Sequence, residues 1–307
     1  MAAYIYLKSI AKNNNNKTII ADLNIGLEQG TSLALIGRNN SGKSMLLKIL
    51  AGIMNADFGT FFINGEKVSS DKINIRKKIC YIPEYVDFIK EISIYENLYI
   101  YMSMYSSLNT IEIKKKIAHW ANIFNFDKFI YSKVENVDLS NLRLIQLSRI
   151  FMHDSCDIII LDQPTIGLDP NNQILFWEKI KTVLKDKTII YTSYDFDEIQ
   201  NFSNRVAFLN NGNIKLAGTV SDIMNQTKGY GYYKIVFDSS VPDGFIEKVK
   251  ETSDCYHLNI KGNYIEFYSP SKKTVIPLIK ESFKYSVQDM VERPFNFKDV
   301  FLIQTKK

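Results

Sequence analysis

An α/β fold wound around a mainly parallel sheet is what this sequence predicts, and three observations carry the prediction. Apolar runs of strand length recur between turn residues: Ser32–Gly37, Asp157–Asp162 and Lys187–Thr192. Helical spacing fills the segments between them. A glycine-bearing loop, Gly37-Arg38-Asn39-Asn40-Ser41-Gly42-Lys43-Ser44, joins the first run to a helix. Continuous apolar runs suit strands buried on both faces, and alternation with helices requires parallel crossovers.

In chain order, Ser32–Gly37 reads as a buried strand and Ser44–Leu50 as the helix after the loop. From about 88 to 153 the strand signal disappears and helical spacing dominates, so this stretch reads as a helical insert. Asp157–Asp162 and Lys187–Thr192 are central strands, with an amphipathic helix from about Asn172 to Lys185 between them. After Met224 the character changes, with a candidate hinge at Lys228–Gly231. Beyond it come a strand at Tyr232–Phe237, a helix near Gly244–Thr252, a strand pair at His257–Ile260 and Tyr264–Tyr268, and a helix at Thr274–Phe283. The expected organisation is a domain over 1–224 and a small C-terminal α+β domain over 225–307. The tract Asn13–Asn16 reads as a loop.

Composition narrows the class. At roughly 150 residues per domain, 307 residues suggest two domains. A hydrophobic fraction of 46% with 23% charged residues excludes a disordered chain, a fibrous repeat and a disulfide scaffold. The most apolar helical stretch, Ile92–Leu108, carries Glu96 and Asn97 and falls short of the ~20 residues of a membrane span. The N-terminus has no basic region ahead of an apolar core, so no secretion signal is expected and the chain is placed in the cytosol. Net charge is +5, and its short basic groups, Arg76–Lys78 and Lys114–Lys116, read as solvated faces, so no nucleic-acid partner is expected. Cys80, Cys156 and Cys255 are far apart without a CxxC pair; neither zinc nor a disulfide framework is indicated, and they read as reduced, packed thiols. His119, His153 and His257 read as surface or core residues.

The loop from Gly37 to Ser44 fits G-x-x-x-x-G-K-S between a strand and a helix, the context that makes this pattern specific. Loop N–H groups and the helix N-terminus converge on phosphate oxygens, where the helix dipole favours negative charge. Lys43 neutralises β/γ-phosphate charge, and the Ser44 hydroxyl suits Mg²⁺. Asp162, ending an apolar strand, suits a carboxylate beside that ion.

These residues resemble the nucleotide-binding subunit of an ATP-binding cassette (ABC) transporter. Further matches follow in the family's order. Tyr81–Glu84 resembles the loop that touches Mg²⁺ and the membrane subunit, with Glu84 acceptable there. Ile94–Leu98 resembles the helix start after it. Leu161–Thr165 resembles the second phosphate motif, and Ile166–Pro170, with Gly167, Leu168 and Asp169, the loop that meets its copy across a dimer. Arg205–Leu209, Asn211–Ile214 and Ala217–Thr219 resemble the closing strands. The resemblance covers about 4–224, and Pro294–Leu302 resembles the end of drug, sodium and peptide exporter subunits. It implies a P-loop NTPase fold with a mainly parallel sheet, a helical insert and an antiparallel β portion. It also implies ATP and Mg²⁺ as ligands, with Ser44, Glu84 and Asp162 around the metal. Two subunits would sandwich two ATP molecules and drive an integral membrane permease from the cytoplasmic face of the inner membrane.

The sequence departs from the family at informative places. Where the family has a Glu that polarises the attacking water stands Gln163; an amide accepts no proton, so hydrolysis should fall by ~10²–10⁴-fold. Where it has a His against the γ-phosphate stands Tyr194. Gln163 reads either as an engineered trap of the ATP-bound state or as natural degeneracy, and Tyr194 with the eroded signature favours degeneracy. The signature loop falls at Val137-Asp138-Leu139-Ser140-Asn141, its register ambiguous by two residues and both family glycines missing. Those glycines let backbone N–H groups approach the partner's phosphate. No aromatic stands near Ile10–Asn14 to stack adenine, and Tyr4 and Tyr6 are poorly spaced to replace it. Asn40 replaces a loop glycine mildly, because Asn tolerates positive φ. The expectation is an ATP-binding exporter subunit with weak turnover; the alternative is an inactive regulatory or structural subunit beside a competent one.

Overall fold

The computed structural model describes residues 3–14, 17–68, 78–153, 155–226 and 230–306. The chain divides into two compact units, Met1–Leu216 and Ala217–Lys307. The sequence places this boundary at 224, inside the helix Val220–Gln226; by contacts it falls ahead of that helix. Lys228 and Gly229 of the expected hinge lie outside the described residues, as do Asn15, Asn16, Arg76 and Lys77.

Two sheets build the first unit. Strands β1 (Ile5–Asn14), β2 (Lys17–Leu27), β4 (Phe58–Ile63) and β5 (Glu66–Lys67) form an antiparallel sheet in the order β2-β1-β4-β5. Asn13 and Asn14 are therefore strand residues paired with Thr18 and Lys17, not loop. The second sheet has the order β10-β9-β3-β8-β7-β6, from β3 (Ser32–Gly37), β6 (Ile79–Ile82), β7 (Ile158–Leu161), β8 (Thr188–Thr192), β9 (Arg205–Asn210) and β10 (Asn213–Gly218). The β6-β7-β8-β3-β9 run is parallel throughout, as the continuous apolar strands require. Ile5 and Leu7 of β1, Leu33 and Leu35 of β3, and Leu46 and Leu47 of α1 (Lys43–Leu50) share one core with Ile158 and Ile160. Fully burying each such side chain stabilises the fold by about 1.5–3 kcal/mol.

The insert consists of α2 (Ile94–Tyr105), α3 (Thr110–Ile123) and α4 (Leu139–Met152). The polar residues that interrupt the apolar run at Glu96 and Asn97 anchor the start of α2. Ser93 and Glu96 form a reciprocal capping box. Asn97, buried, accepts from Ile89 N at 2.8 Å and donates to Ile89 O and Ser93 O at 3.0 Å. An aromatic chain ties the insert to α5 (Pro170–Val183): Trp120 meets Phe151 at 4.8 Å, and Phe151 meets Phe176 edge-on at 6.2 Å. Helix α6 (Phe196–Phe202) follows β8. No helix among the described residues is long and apolar enough to cross a membrane.

The second unit, described by itself, opens with α7 (Val220–Gln226). It is built on a sheet ordered β12-β13-β11-β14, from β11 (Gly231–Phe237), β12 (Tyr256–Lys261), β13 (Tyr264–Ser269) and β14 (Val287–Pro294), all antiparallel. Helices α8 (Asp243–Glu251) and α9 (Lys272–Ser282) bury Phe245, Val249, Val275 and Leu278 against Ile235 and Phe267. A terminal helix, α10, covers Phe297–Lys306. β14 escapes sequence reading because its burial does not alternate.

Candidate nucleotide site

The loop after β3 is built for close approach. A Cβ on Gly37 would lie 2.2 Å from the Leu209 carbonyl oxygen, so no other residue fits there. Gly42 caps α1 at φ 101, a conformation L-residues rarely adopt. Asn40 takes φ 62, consistent with the tolerance that makes its replacement of glycine mild. The turn at Asn211–Gly212 braces the loop from behind: Gly212 N donates to Ser41 O at 3.3 Å, and Ala21 N donates to Gly212 O at 3.1 Å. Ser41 Oγ is buried with no protein partner, a donor left available at the mouth of a helix N-terminus.

Lys43, 6% exposed, donates to Gly37 O and Arg38 O at 2.8 Å and to Tyr194 Oη at 3.1 Å. Burial pulls its ammonium down to about 8, against the pull of Asp162 and Glu84. Tyr194 lies across the loop, its ring centroid 4.9 Å from the Lys43 nitrogen and its hydroxyl donating to Asn39. Asp162 is buried at the end of β7, accepting from Thr192 Oγ1 at 2.7 Å; the same hydroxyl accepts from Gln163 N at 2.8 Å. Gln163 holds φ 45, a backbone conformation uncommon for non-glycine residues. Asn39–Met45, Glu84, Gln163 and Tyr194 line one cleft of about 890 Å³, together with Asn14, Lys17 and Ile19. The fold thus brings the phosphate loop, Glu84, Gln163 and Tyr194 to a single cleft. Asp162 is close enough to act on Lys43 electrostatically, and with Ser44 and Glu84 it offers the oxygen donors a hard cation takes.

Sequence reading missed Arg143. Its guanidinium, 2% exposed, donates from Nε to Pro164 O at 3.0 Å, from Nη1 to Pro83 O at 2.5 Å and Gln146 Oε1 at 2.7 Å, and from Nη2 to Asp162 O at 3.0 Å and Gln163 O at 2.9 Å. All five N–H groups are used. Burial lowers it to about 10, and Asp162, Glu84 and Asp87 counter that. On the same helix, Gln146 donates to Tyr85 O at 2.9 Å and Asp87 Oδ1 at 3.0 Å, and Arg149 pairs with Asp87 at 2.7 Å. Helix α4 therefore clamps the loop after β6 to the loop after β7. A charged residue within a run as apolar as Leu142–Met152 was the available signal.

Residues 20–166 match the family described as ABC transporter. The first unit carries an ABC transporter ATP-binding domain. The chain is 25% identical over 303 residues to the Nod factor export ATP-binding protein I of Burkholderia orbicola, covering 98% of this chain and 96% of that one. It is 24% identical over 253 residues to the linearmycin resistance ATP-binding protein LnrL of Bacillus subtilis, covering 82% and 79%. A solved ATP-binding subunit of an ABC transporter superposes with a TM-score of 0.67 at 23% identity, covering 73% of this chain and 92% of that one. A dimeric ATP-binding cassette bound to ADP and Pi superposes with a TM-score of 0.64 at 19% identity.

The remaining ABC positions fall as follows. Asp138 is the N-cap of α4, accepting from Asn141 N at 3.0 Å; Val137 is buried, Leu139 is 67% exposed, and Ser140 sits in the first turn. Gly167 is exposed at φ 80, Leu168 is buried, and Asp169 caps α5 by accepting from Asn172 N at 3.0 Å. Tyr4 packs on the core and Tyr6 pairs with Phe62; neither lines the cleft. The three thiols are free, Cys80 and Cys156 buried and Cys255 half-buried, as the sequence reading has them, but two of them meet a histidine. Cys80, His153 and Cys156 are buried, and their ligand atoms all lie within 4.8 Å of one another. No spacing rule could show this, because β6 and β7 bring the two cysteines together only as parallel neighbours.

Proposed function

We propose that this chain is the ATP-binding subunit of an exporter, powering a separate integral membrane permease by ATP-dependent pairing with a second cassette at the cytoplasmic face of the membrane. The observation that carries it is the cleft over the Gly37–Ser44 loop, with Glu84, Gln163 and Tyr194 on its wall. The loop and Lys43 would hold the triphosphate, and Ser44, Glu84 and Asp162 would hold Mg²⁺, which neutralises phosphate charge. Gln163 can hydrogen-bond a water but not take its proton, so turnover is weak. A second cleft of about 650 Å³ supports the permease: Tyr85, Ile89 and Met104 on its rim are 65%, 48% and 68% exposed, an apolar surface suited to a cytoplasmic helix of the membrane subunit.

The full chain should bind Mg-ATP in calorimetry, lose that binding on Lys43→Ala, and release phosphate more slowly than about 10⁻² s⁻¹. Gln163→Glu should raise turnover by about 10²-fold or more. No heat with Mg-ATP would end the nucleotide reading, and fast turnover of the unaltered chain would end the weak-hydrolysis reading. The Asp138 carboxylate at the N-cap of α4 favours a second reading, a regulatory subunit paired with a competent cassette. An acid there repels a phosphate brought by a partner. Two distinct cassette subunits in a detergent-purified complex would support it.

A further inference from the structure

We propose that Cys80, His153 and Cys156 form a buried site for one Zn²⁺ ion beneath the apolar groove, independent of the nucleotide cleft. The three side chains come from different elements: Cys80 from β6, Cys156 from the turn entering β7, and His153 from the C-cap of α4. They are 2%, 1% and 5% exposed, and their ligand atoms lie within 4.8 Å of one another. Zinc–ligand lengths of about 2.0–2.3 Å place tetrahedral ligands on the order of 3.5–3.8 Å apart, so side-chain rotations of about 1 Å suffice. His153 Nδ1 is buried with no protein partner, an orphan whose desolvation a metal bond would offset.

Charge favours a divalent ion, and thiolate donors with an imidazole in a tetrahedral arrangement favour zinc among these. Two thiolates and a neutral imidazole sum to −2, which Zn²⁺ cancels; a monovalent soft ion would leave a net charge buried. Binding converts both thiols to thiolates and releases their two protons to solvent, with no change of oxidation state. The surroundings suit it. Tyr101 Oη, 3.3 Å from Cys80 Sγ, can donate to a bound thiolate, and the Tyr101 and Tyr105 rings flank His153 at 6.4 and 5.2 Å. The Cys156 thiol, now bonded to Ile158 O at 3.0 Å, would exchange that weak bond for the metal. Cys80 also lines the groove floor, so zinc would staple β6, β7 and the end of α4 under the surface offered to a partner.

The test uses the full chain purified in reducing buffer without chelator, then equilibrated with equimolar zinc and desalted. The expected result is about one zinc per chain, with X-ray absorption showing two sulfurs at about 2.3 Å and an imidazole nitrogen at about 2.0–2.1 Å. Cys80→Ser, Cys156→Ser and His153→Gln should each weaken zinc binding at least about 100-fold, while Cys255→Ser leaves it unchanged. The spectrum of the unaltered chain needs no variant to fold. No retained zinc, a shell of oxygen and nitrogen alone, a Cys80–Cys156 disulfide in the reduced preparation, or zinc retained by all three variants would each overturn the proposal.

Discussion

Arg143→Ala is the substitution whose consequences the structure sets most sharply. It removes a buried donor set that satisfies the carbonyls of Pro83, Asp162, Gln163 and Pro164 and the Gln146 amide oxygen. Each buried acceptor left unpaired costs about 1–3 kcal/mol. Water entering the vacated volume recovers part of that, and release of Arg143 from its burial penalty recovers more. The expected net loss is about 3–5 kcal/mol. Arg143→Lys should lose about 2 kcal/mol, because three donors on a point charge cannot reproduce the fork. The assay is urea unfolding followed by fluorescence. The chain's two tryptophans, Trp120 and Trp177, lie in the first unit, with Trp177 stacked on Phe202 at 4.9 Å. The midpoint should fall without a change in slope. Mg-ATP affinity should fall with it, since the same guanidinium seats Asp162 and Gln163. A loss below about 1 kcal/mol, with affinity intact, would refute the clamp.

Tyr194→Phe keeps the ring over Lys43 but removes the hydroxyl that engages Asn39 and Lys43, so Mg-ATP should bind about 3–10-fold tighter by calorimetry; weaker binding would count against this role. Gly37→Ala drives a methyl group into the Leu209 carbonyl and should lower stability by about 2–3 kcal/mol in the same urea assay. Burial raises the Glu198 carboxyl above its ordinary value, although Thr165 donates to it. The native state then keeps its proton to higher pH than the unfolded chain does. That contribution to stability is present below the unfolded value of about 4.3 and is lost as pH rises through the folded one. Glu198→Gln should therefore gain stability relative to the unaltered chain from acid to neutral pH, read as urea midpoints; the opposite trend would refute it.

The parallel sheet and the phosphate loop were legible because each rests on local pattern. Ile158–Leu161 is apolar on both faces, and G-x-x-x-x-G-K-S constrains its own backbone. Gln163 and Tyr194 were singled out by their order after that loop, and both line its cleft. What the sequence could not show depends on pairings distant in the chain. Arg143 reaches carbonyls 19 to 60 residues away, and Gly212 braces a serine in a loop near the chain's start. Cys80 and Cys156 meet only because β6 lies beside β7. The terminal strand β14 failed for another reason: with Val287, Met290 and Arg293 only partly covered, it lacks the two-residue rhythm that marks a half-buried strand.

One helix serves two clefts of the first unit. Arg143, Gln146 and Arg149 follow at three-residue steps along α4, spanning about 9 Å of axial rise on adjoining faces. The first holds the carbonyls beside Asp162 and Gln163; the other two hold Tyr85 and Asp87 on the wall of the apolar groove. Arg149 is also sandwiched between the Phe88 and Tyr101 rings at 4.3 and 5.1 Å, so it cannot shift without disturbing α2. Charge-assisted bonds of about 1.5–3 kcal/mol each join these parts. A ligand that reoriented the carbonyls after β7 would meet the groove wall through these same bonds.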